Sequence, residues 1–127
     1  MKKIFHLDDN IELVEITEMV LGKEYVVKSM SSVEGFAGEL RQFNPDLILI
    51  DHFIGDVNSE QLLKDIHTAI PGFSIPFILY SASYDIEEKA RMLGAAGFIE
   101  KPSSIKYIKE YIANFFKQQE GLTAFRN

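Results

Sequence analysis

A run of four apolar residues that ends directly in an aspartate constrains the fold more than any other feature of this sequence. The run is residues 47–50, and the aspartate is Asp51. Unbroken apolar runs of this length are typical of strands buried on both faces, as in a parallel sheet covered by helices. Pro45 marks the start of the strand, and Gly55 lies in the loop beyond it. Because ligands bind at the carboxyl ends of strands in open α/β sheets, we expect Asp51 to lie at a functional edge.

Strand-like and helix-like segments alternate along the rest of the chain. Apolar runs bounded by turn residues predict five strands, at residues 3–7, 25–29, 47–50, 75–80 and 97–100. Five strand-helix repeats with short connections predict an α/β fold, in which helices cover both faces of a doubly wound parallel sheet. We therefore expect a flavodoxin-like (βα)5 architecture with the strand order 2-1-3-4-5.

Capping residues locate the ends of the predicted helices. Four of the five helices follow a polar cap, at Asp9/Asn10, Ser31/Ser32, Asn58/Ser59 and Ser103/Ser104. The first is predicted to end at Gly22, and the second near Phe43. The remaining helix runs from about Ile86 to Leu93 and stops at Gly94.

Apolar residues at helical spacing predict which side chains face the sheet. On the first helix and the last helix they are Ile11, Val14, Met19 and Leu21, and Ile105, Ile108, Ile112 and Phe115. Since the four residues named on the last helix fill its apolar face, Tyr107 and Tyr111 are predicted to point outward. An exposed aromatic pair indicates a contact surface.

The length and composition bound the organisation of the protein. The 127 residues fit one domain, which we place at residues 1–120, followed by a tail at 121–127 and no attached output domain. A net charge of −6 argues against nucleic acid or an anionic membrane as a direct partner. The chain has no cysteine, and no apolar run approaches the length that spans a membrane, so a cytoplasmic location is predicted.

Polar residues stand at the carboxyl ends of four predicted strands. They are Asp8 and Asp9, Asp51, Ser81 and Lys101. In the 2-1-3-4-5 order the first and third strands are neighbours, so the three aspartates are expected to converge. Three carboxylates at close range repel one another unless a cation lies among them. An oxygen-only site suits Mg²⁺, and Lys101 brings a second positive charge.

This constellation is typical of phosphoryl transfer, in which positioning and charge neutralisation supply most of the catalysis. We interpret Asp51 as the carboxylate nucleophile that accepts a phosphoryl group. Lys101 would pair with a phosphoryl oxygen. Ser81 would donate its hydroxyl to another phosphoryl oxygen after transfer.

Four segments make the chain similar to the response-regulator receiver domains, over essentially its whole length. They are residues 4–10, 45–51, 77–82 and 94–102. The resemblance implies that Asp51 is the phosphoacceptor and that Asp8 and Asp9 hold Mg²⁺ with it. It further implies the backbone carbonyl of Phe53 as a metal ligand and Ser81 as the switch hydroxyl. Two more implications are Phe98 as the switch aromatic residue and a cis peptide bond between Lys101 and Pro102.

The resemblance also implies partners. The phosphoryl donor would be a histidine kinase or a histidine phosphotransfer protein. The downstream target, a protein, would bind the face formed by the fourth helix, the fifth helix and the fifth strand. The chain would catalyse only its own phosphorylation and dephosphorylation, and no other enzymatic activity is expected.

The loop after Asp51 departs from the family pattern. Ile54-Gly55 replaces the usual Met-Pro, and Asn58-Ser59 replaces the usual Asp-Gly. Loss of the proline predicts a looser loop, because proline restricts the backbone. Phe53 places an aromatic ring where it can shield the site from water and change the rate of dephosphorylation.

Other interpretations of the same residues remain open at the level of sequence. His6 is interpreted as a neutral core residue, His52 as a structural or tuning residue and His67 as a surface residue. A flavodoxin-like electron carrier needs hydroxyl and glycine residues after the first strand, where this chain has Asp8 and Asp9. An aspartyl phosphatase of the haloacid dehalogenase type needs an acid at the position of Phe53, and the cobalamin motif needs its histidine one place later than His52. A receiver-shaped interaction module that is not regulated by phosphorylation is a further alternative.

Overall fold

The computed structural model describes the backbone of residues 1–126 and the side chains of residues 1–121. In chain order the elements are β1 (Lys3–Leu7), α1 (Ile11–Leu21), β2 (Val26–Met30), α2 (Phe36–Phe43), β3 (Leu47–Ile50), β4 (Phe53–Ile54), β5 (Val57–Asn58), α3 (Ser59–Ala69), β6 (Phe77–Ser81), α4 (Ile86–Leu93), β7 (Gly97–Glu100) and α5 (Ile105–Arg126). Within residues 1–126, none of the helices combines the length and the apolar character that a membrane span requires.

The main sheet contains five parallel strands in the order β2-β1-β3-β6-β7. This is the predicted 2-1-3-4-5 order, because β4 and β5 form a separate two-stranded sheet. The register pairs Ile50 with both Leu7 and Leu79. The carboxyl ends of β1, β3, β6 and β7 therefore meet at one edge of the sheet.

Helices cover both faces of the sheet, and β3 is buried between them as predicted. Leu47 and Leu49 pack on the side of α1 and α5, whereas Ile48 and Ile50 pack on the side of α2, α3 and α4. All four side chains are at most 1% exposed. Each contributes about 1.5–3 kcal/mol relative to an exposed position. Because β3 is held so firmly in the core, the position of Asp51 at its carboxyl end is fixed.

Several predicted helix ends are confirmed. Asn10 accepts a hydrogen bond from the amide of Leu13 at 3.1 Å, and Asn58 accepts one from Gln61 at 2.9 Å. α4 has the predicted bounds and ends at Gly94, whose φ of 75° is the left-handed conformation that glycine adopts without strain.

Two helix ends differ from the prediction. α2 begins at Phe36, after Gly35 with φ 74°, and Ser31 and Ser32 do not cap it. Strand β2 continues to Met30, so the chain needs the next five residues to turn before a helix can start. The predicted end of the last helix at Gly121 is also wrong, because α5 continues to Arg126. The residues assigned to a tail therefore begin inside a helix.

The buried stripe of α1 differs from the predicted apolar face. Val14, Thr17 and Leu21 are buried, whereas Ile11 and Met19 are 61% and 66% exposed. Helical spacing places residues 14, 17 and 21 on one side, and Met19 faces away from it. On α5, the buried aromatic residue is Phe116, and Phe115 is half-buried.

Candidate functional site

Three carboxylates converge at the carboxyl ends of β1 and β3. Asp8 and Asp9 follow β1, and Asp51 follows β3, where its amide donates a hydrogen bond to the carbonyl of Leu7 at 3.1 Å. One oxygen from each of the three side chains lies within 4.8 Å of the others. Asp8 is buried, Asp51 is half-buried and Asp9 is exposed. The adjacency of the two strands thus brings together side chains that are more than 40 residues apart in sequence.

Lys101 lies between two of these carboxylates. Its Nζ is 2.6 Å from Oδ2 of Asp8 and 3.2 Å from Oδ2 of Asp51. The lysine follows β7, and its amide donates to the carbonyl of Ser81 at 3.0 Å, which ties it to the end of β6. The peptide bond from Lys101 to Pro102 is cis, as the resemblance implies. The structure therefore brings the predicted cation into direct contact with the predicted acceptor.

These contacts determine the charge states of the buried pair. Burial alone would raise the pKa of Asp8, but the His6 ring, the Lys101 ammonium and the amide of Asn10 together lower it below its usual value. Burial alone would lower the pKa of Lys101, but Asp8 and Asp51 raise it above its usual value. Both groups are therefore charged at neutral pH.

The segment after Asp51 is a hairpin, whereas the lost proline predicts a looser loop. Phe53 pairs with Asn58, and Ile54 pairs with Val57. Gly55 has φ 60° in the turn, and its amide donates to Oδ2 of Asp9 at 3.1 Å. A proline at this position has no amide proton and could not make this bond. The Ile54-Gly55 sequence therefore attaches the hairpin to the carboxylate cluster.

The two predicted switch residues lie on neighbouring strands. Ser81 ends β6, is buried, and has its Oγ 3.4 Å from Oγ of Ser83. Phe98 is half-buried on β7, with its ring packed against the core on the side of α2, α3 and α4. The assignment of a switching role to either residue stays a prediction.

His52 and Phe53 form a structural unit beside Asp51. Nδ1 of the buried His52 is 2.6 Å from Oγ of Ser59, and the two aromatic rings pack edge to face at 4.4 Å. Burial and the nearby charge of Lys89 lower the pKa of His52, although three acidic residues oppose them. The imidazole therefore links the end of β3 to the first turn of α3. Phe53 is 51% exposed.

Three further contacts near the site involve residues to which the sequence gives no such role. Nζ of Lys89 on α4 lies 5.5 Å from the ring centroid of Phe53. The hydroxyl of Tyr111 accepts a hydrogen bond from the amide of Phe98 at 3.1 Å. Tyr111 is half-buried, so the prediction that it points outward is wrong. Tyr107 is exposed, as predicted. His6 faces Asp8, a contact that its interpretation as a neutral core residue does not predict.

The donor set fits a hard divalent cation. All of the clustered ligand atoms are carboxylate oxygens, which Mg²⁺ prefers. Three carboxylates against one ammonium leave two negative charges uncompensated. An oxygen-lined site with this residual charge can both bind a divalent cation and receive a phosphoryl group beside it.

Comparison with protein families gives one match over most of the chain. The model of the response regulator receiver domain matches residues 4–113. No curated protein sequence matches the chain significantly.

Many solved structures have the same fold. The N-terminal domain of the nisin resistance regulator NsrR, a lantibiotic response regulator, is 26% identical, with a TM-score of 0.79 over 91% of this chain and 97% of that one. A CheY-like response regulator receiver domain protein from Methanospirillum hungatei JF-1 is 22% identical, with a TM-score of 0.80 over 95% and 98%. The BeF3-activated receiver domain of RstA from Klebsiella pneumoniae is 19% identical, with a TM-score of 0.76 over 89% and 97%.

Proposed function

The chain belongs to the response regulator receiver domain family, and on that premise we propose that it accepts a phosphoryl group on Asp51. The donor is a phosphohistidine of a histidine kinase or of a histidine phosphotransfer protein. Members of this family are signalling modules. The reactions that the chain catalyses are its own phosphorylation and dephosphorylation. The observation that carries the proposal is the ammonium of Lys101, held between Asp8 and Asp51.

Burial distinguishes the acceptor from the other two carboxylates. Asp8 is fully buried, so a protein donor cannot reach it. Asp9 is exposed but is engaged by the amide of Gly55. Asp51 is half-buried beside the lysine, where a phosphoryl group can approach and find a cation. A carboxylate oxygen of Asp51 forms the new P–O bond, the P–N bond to the donor breaks, and its electron pair stays with the donor imidazole.

Mg²⁺ is the proposed cofactor. Asp8, Asp9 and Asp51 would hold it together with the backbone carbonyl of Phe53. When bound, the ion neutralises phosphoryl oxygens during transfer. Support comes from the oxygen-only donor set and its two uncompensated negative charges. Lys101 is positioned to pair with a phosphoryl oxygen once Asp51 is modified.

The proposed output is a rearrangement of the face formed by α4, β7 and α5. Ser81 moves toward the phosphoryl group, and Phe98 shifts inward into the space that this movement opens. The amide of Phe98 is bonded to Tyr111 on α5, so a shift in β7 acts directly on that helix. The downstream target that binds this face is a protein. The stand-alone organisation and the cytoplasmic location stay predictions.

A small-molecule phosphodonor tests the central step. Incubation of the protein with acetyl phosphate and Mg²⁺ should add one labile phosphoryl group, as read by intact mass spectrometry. The variant Asp51→Ala should remain unmodified, and a chelator should block modification of the wild type. Asp56→Ala is the matched control, because Asp56 is exposed in the hairpin turn, and it should be modified like the wild type. Modification of Asp51→Ala, or none in the wild type, would contradict the proposal.

A further inference from the structure

His6 is a buried, chemically versatile side chain that the proposed phosphoryl transfer does not use. It lies within β1 and is fully buried, next to the apolar core residues Phe5 and Leu7. Neither of its ring nitrogens has a hydrogen-bond partner among the residues that the structure describes. An apolar side chain of similar size would avoid leaving two polar atoms unsatisfied. Packing alone therefore does not account for a histidine here.

The imidazole faces Asp8. Nε2 of His6 lies 3.8 Å from Oδ2 of Asp8, the same oxygen that Lys101 contacts at 2.6 Å. The other oxygen of Asp8 accepts the amide of Asn10 at 3.0 Å. A separation of 3.8 Å exceeds a hydrogen bond, but a shift of about 1 Å closes it to one.

The surroundings of His6 are more polar than an ordinary core position. Its register partner on β2 is Ser29, whose buried hydroxyl also lacks a partner within the described chain. On another side the ring centroid of Tyr80 is 6.1 Å away. Nζ of Lys101 in turn lies 5.0 Å from the Tyr80 ring. His6 therefore lies among polar side chains, those of Ser29, Tyr80 and Asp8.

We propose that His6 is a positioning residue for Asp8. It donates a hydrogen bond from Nε2 to Oδ2 as the carboxylate turns to bind the divalent cation, and it holds Asp8 in that orientation. The inference rests on the proposed function, because it requires Asp8 to help hold Mg²⁺. Removal of groups that orient a metal ligand from behind typically weakens metal affinity 10–100-fold.

Isothermal titration calorimetry of Mg²⁺ binding to the unphosphorylated protein tests this role. Three substitutions of His6 are compared. Glutamine places an amide where Nε2 lies, asparagine places one where Nδ1 lies, and leucine supplies neither. His6→Leu and His6→Asn should weaken Mg²⁺ binding about tenfold or more, whereas His6→Gln should stay within about threefold of the wild type. His67→Leu, on the exposed side of α3, is the matched control and should bind like the wild type.

Thermal unfolding in the presence of a chelator separates positioning from folding. His6→Leu should unfold close to the wild-type temperature, because the loss of two unsatisfied buried polar atoms offsets the loss of the ring's favourable effect on ionised Asp8. If that variant fails to fold, the comparison of His6→Gln with His6→Asn carries the test. Equal Mg²⁺ affinities for these two variants, or wild-type affinity in His6→Leu, would overturn the inference alone. Absence of Mg²⁺ binding by the wild type would overturn the proposed function and the inference with it.

Discussion

Asp8 and Lys101 form the most deeply buried charge pair of the site. The side chain of Asp8 is 0% exposed, and that of Lys101 is 17% exposed. A buried pair of this kind adds little net stability, but removal of one partner leaves the other charge uncompensated. The site is thus sensitive to changes in any one of its charges.

Replacement of Lys101 by methionine should destabilise the protein. The change leaves ionised Asp8 buried beside Asp51, so the free energy of unfolding at pH 7 should fall by about 3 kcal/mol, as measured by urea denaturation without Mg²⁺. Lys109→Met is the control, because the exposed pair of Lys109 with Glu24 at 3.7 Å should contribute less than about 1 kcal/mol. Similar losses in the two variants would contradict the prediction.

The lowered pKa of Asp8 should make stability depend on pH in acid. A carboxylate whose folded-state pKa lies below its usual 3.8 stabilises the fold above that pH. This contribution disappears as the pH falls through the folded-state pKa, because the unfolded chain takes up its proton first. Urea denaturation at several pH values below about 5 should show a steeper loss for the wild type than for Asp8→Asn. Parallel curves for the two proteins would exclude Asp8 as the source.

At the scale of elements, Gly97 and Tyr111 show how tightly α5 lies against β7. A Cβ atom on Gly97 would lie 2.0 Å from the hydroxyl oxygen of Tyr111 and 3.1 Å from its Cζ. The same hydroxyl accepts the amide of Phe98. The ring of Tyr111 can occupy this position only because residue 97 is a glycine and has no side chain.

Replacement of Gly97 by alanine should therefore lower the free energy of unfolding by about 1–3 kcal/mol, because the ring must move and the bond to Phe98 is lost. Gly38→Ala, in α2, has no atom within 4 Å of the new Cβ and should be neutral or stabilising. Chemical denaturation measures both. In a Tyr111→Ala background the cost of Gly97→Ala should largely disappear, and a full cost there would refute the clash.

The elements that the sequence predicts best are those with turn or capping residues at both ends. The strand at 97–100 and the helix at 86–93 lie between glycine and polar residues, and both have their predicted bounds. The start of α2 is missed because Ser31 and Ser32 have the chemistry of N-caps, while β2 needs a turn there. The carboxylate cluster follows from strand order alone. The contact between Tyr111 and Phe98 depends on how α5 rests on β7, which no local pattern specifies.

For the molecule as a whole, the carboxylate site and the proposed output face are joined through β7. Lys101 follows this strand, Phe98 lies within it, and Tyr111 of α5 accepts a hydrogen bond from the amide of Phe98. One short element therefore carries both Phe98 and, at its end, the lysine that contacts Asp51. If Asp51 accepts a phosphoryl group as proposed, this strand offers a route by which the change reaches α5.

Phe98→Ala should uncouple these two regions. The variant should accept phosphoryl from acetyl phosphate at a rate within about twofold of wild type, because the reacting groups are intact. Hydrogen exchange in α4 and α5 should then change less than half as much on phosphorylation as in the wild type. Tyr84→Ala, which removes a 96% exposed aromatic ring, should respond fully. A wild-type response in Phe98→Ala would contradict the coupling.

The placement of Tyr111 has one more consequence, for self-association. An uncovered outer strand offers free amides on which a strand of another molecule can assemble, and sheets grow into aggregates in this way. On β7 the phenol already occupies the amide of Phe98, and its ring lies over Gly97. One amide near the centre of this border is therefore already bonded within the molecule, which disfavours the addition of a strand from a neighbouring molecule.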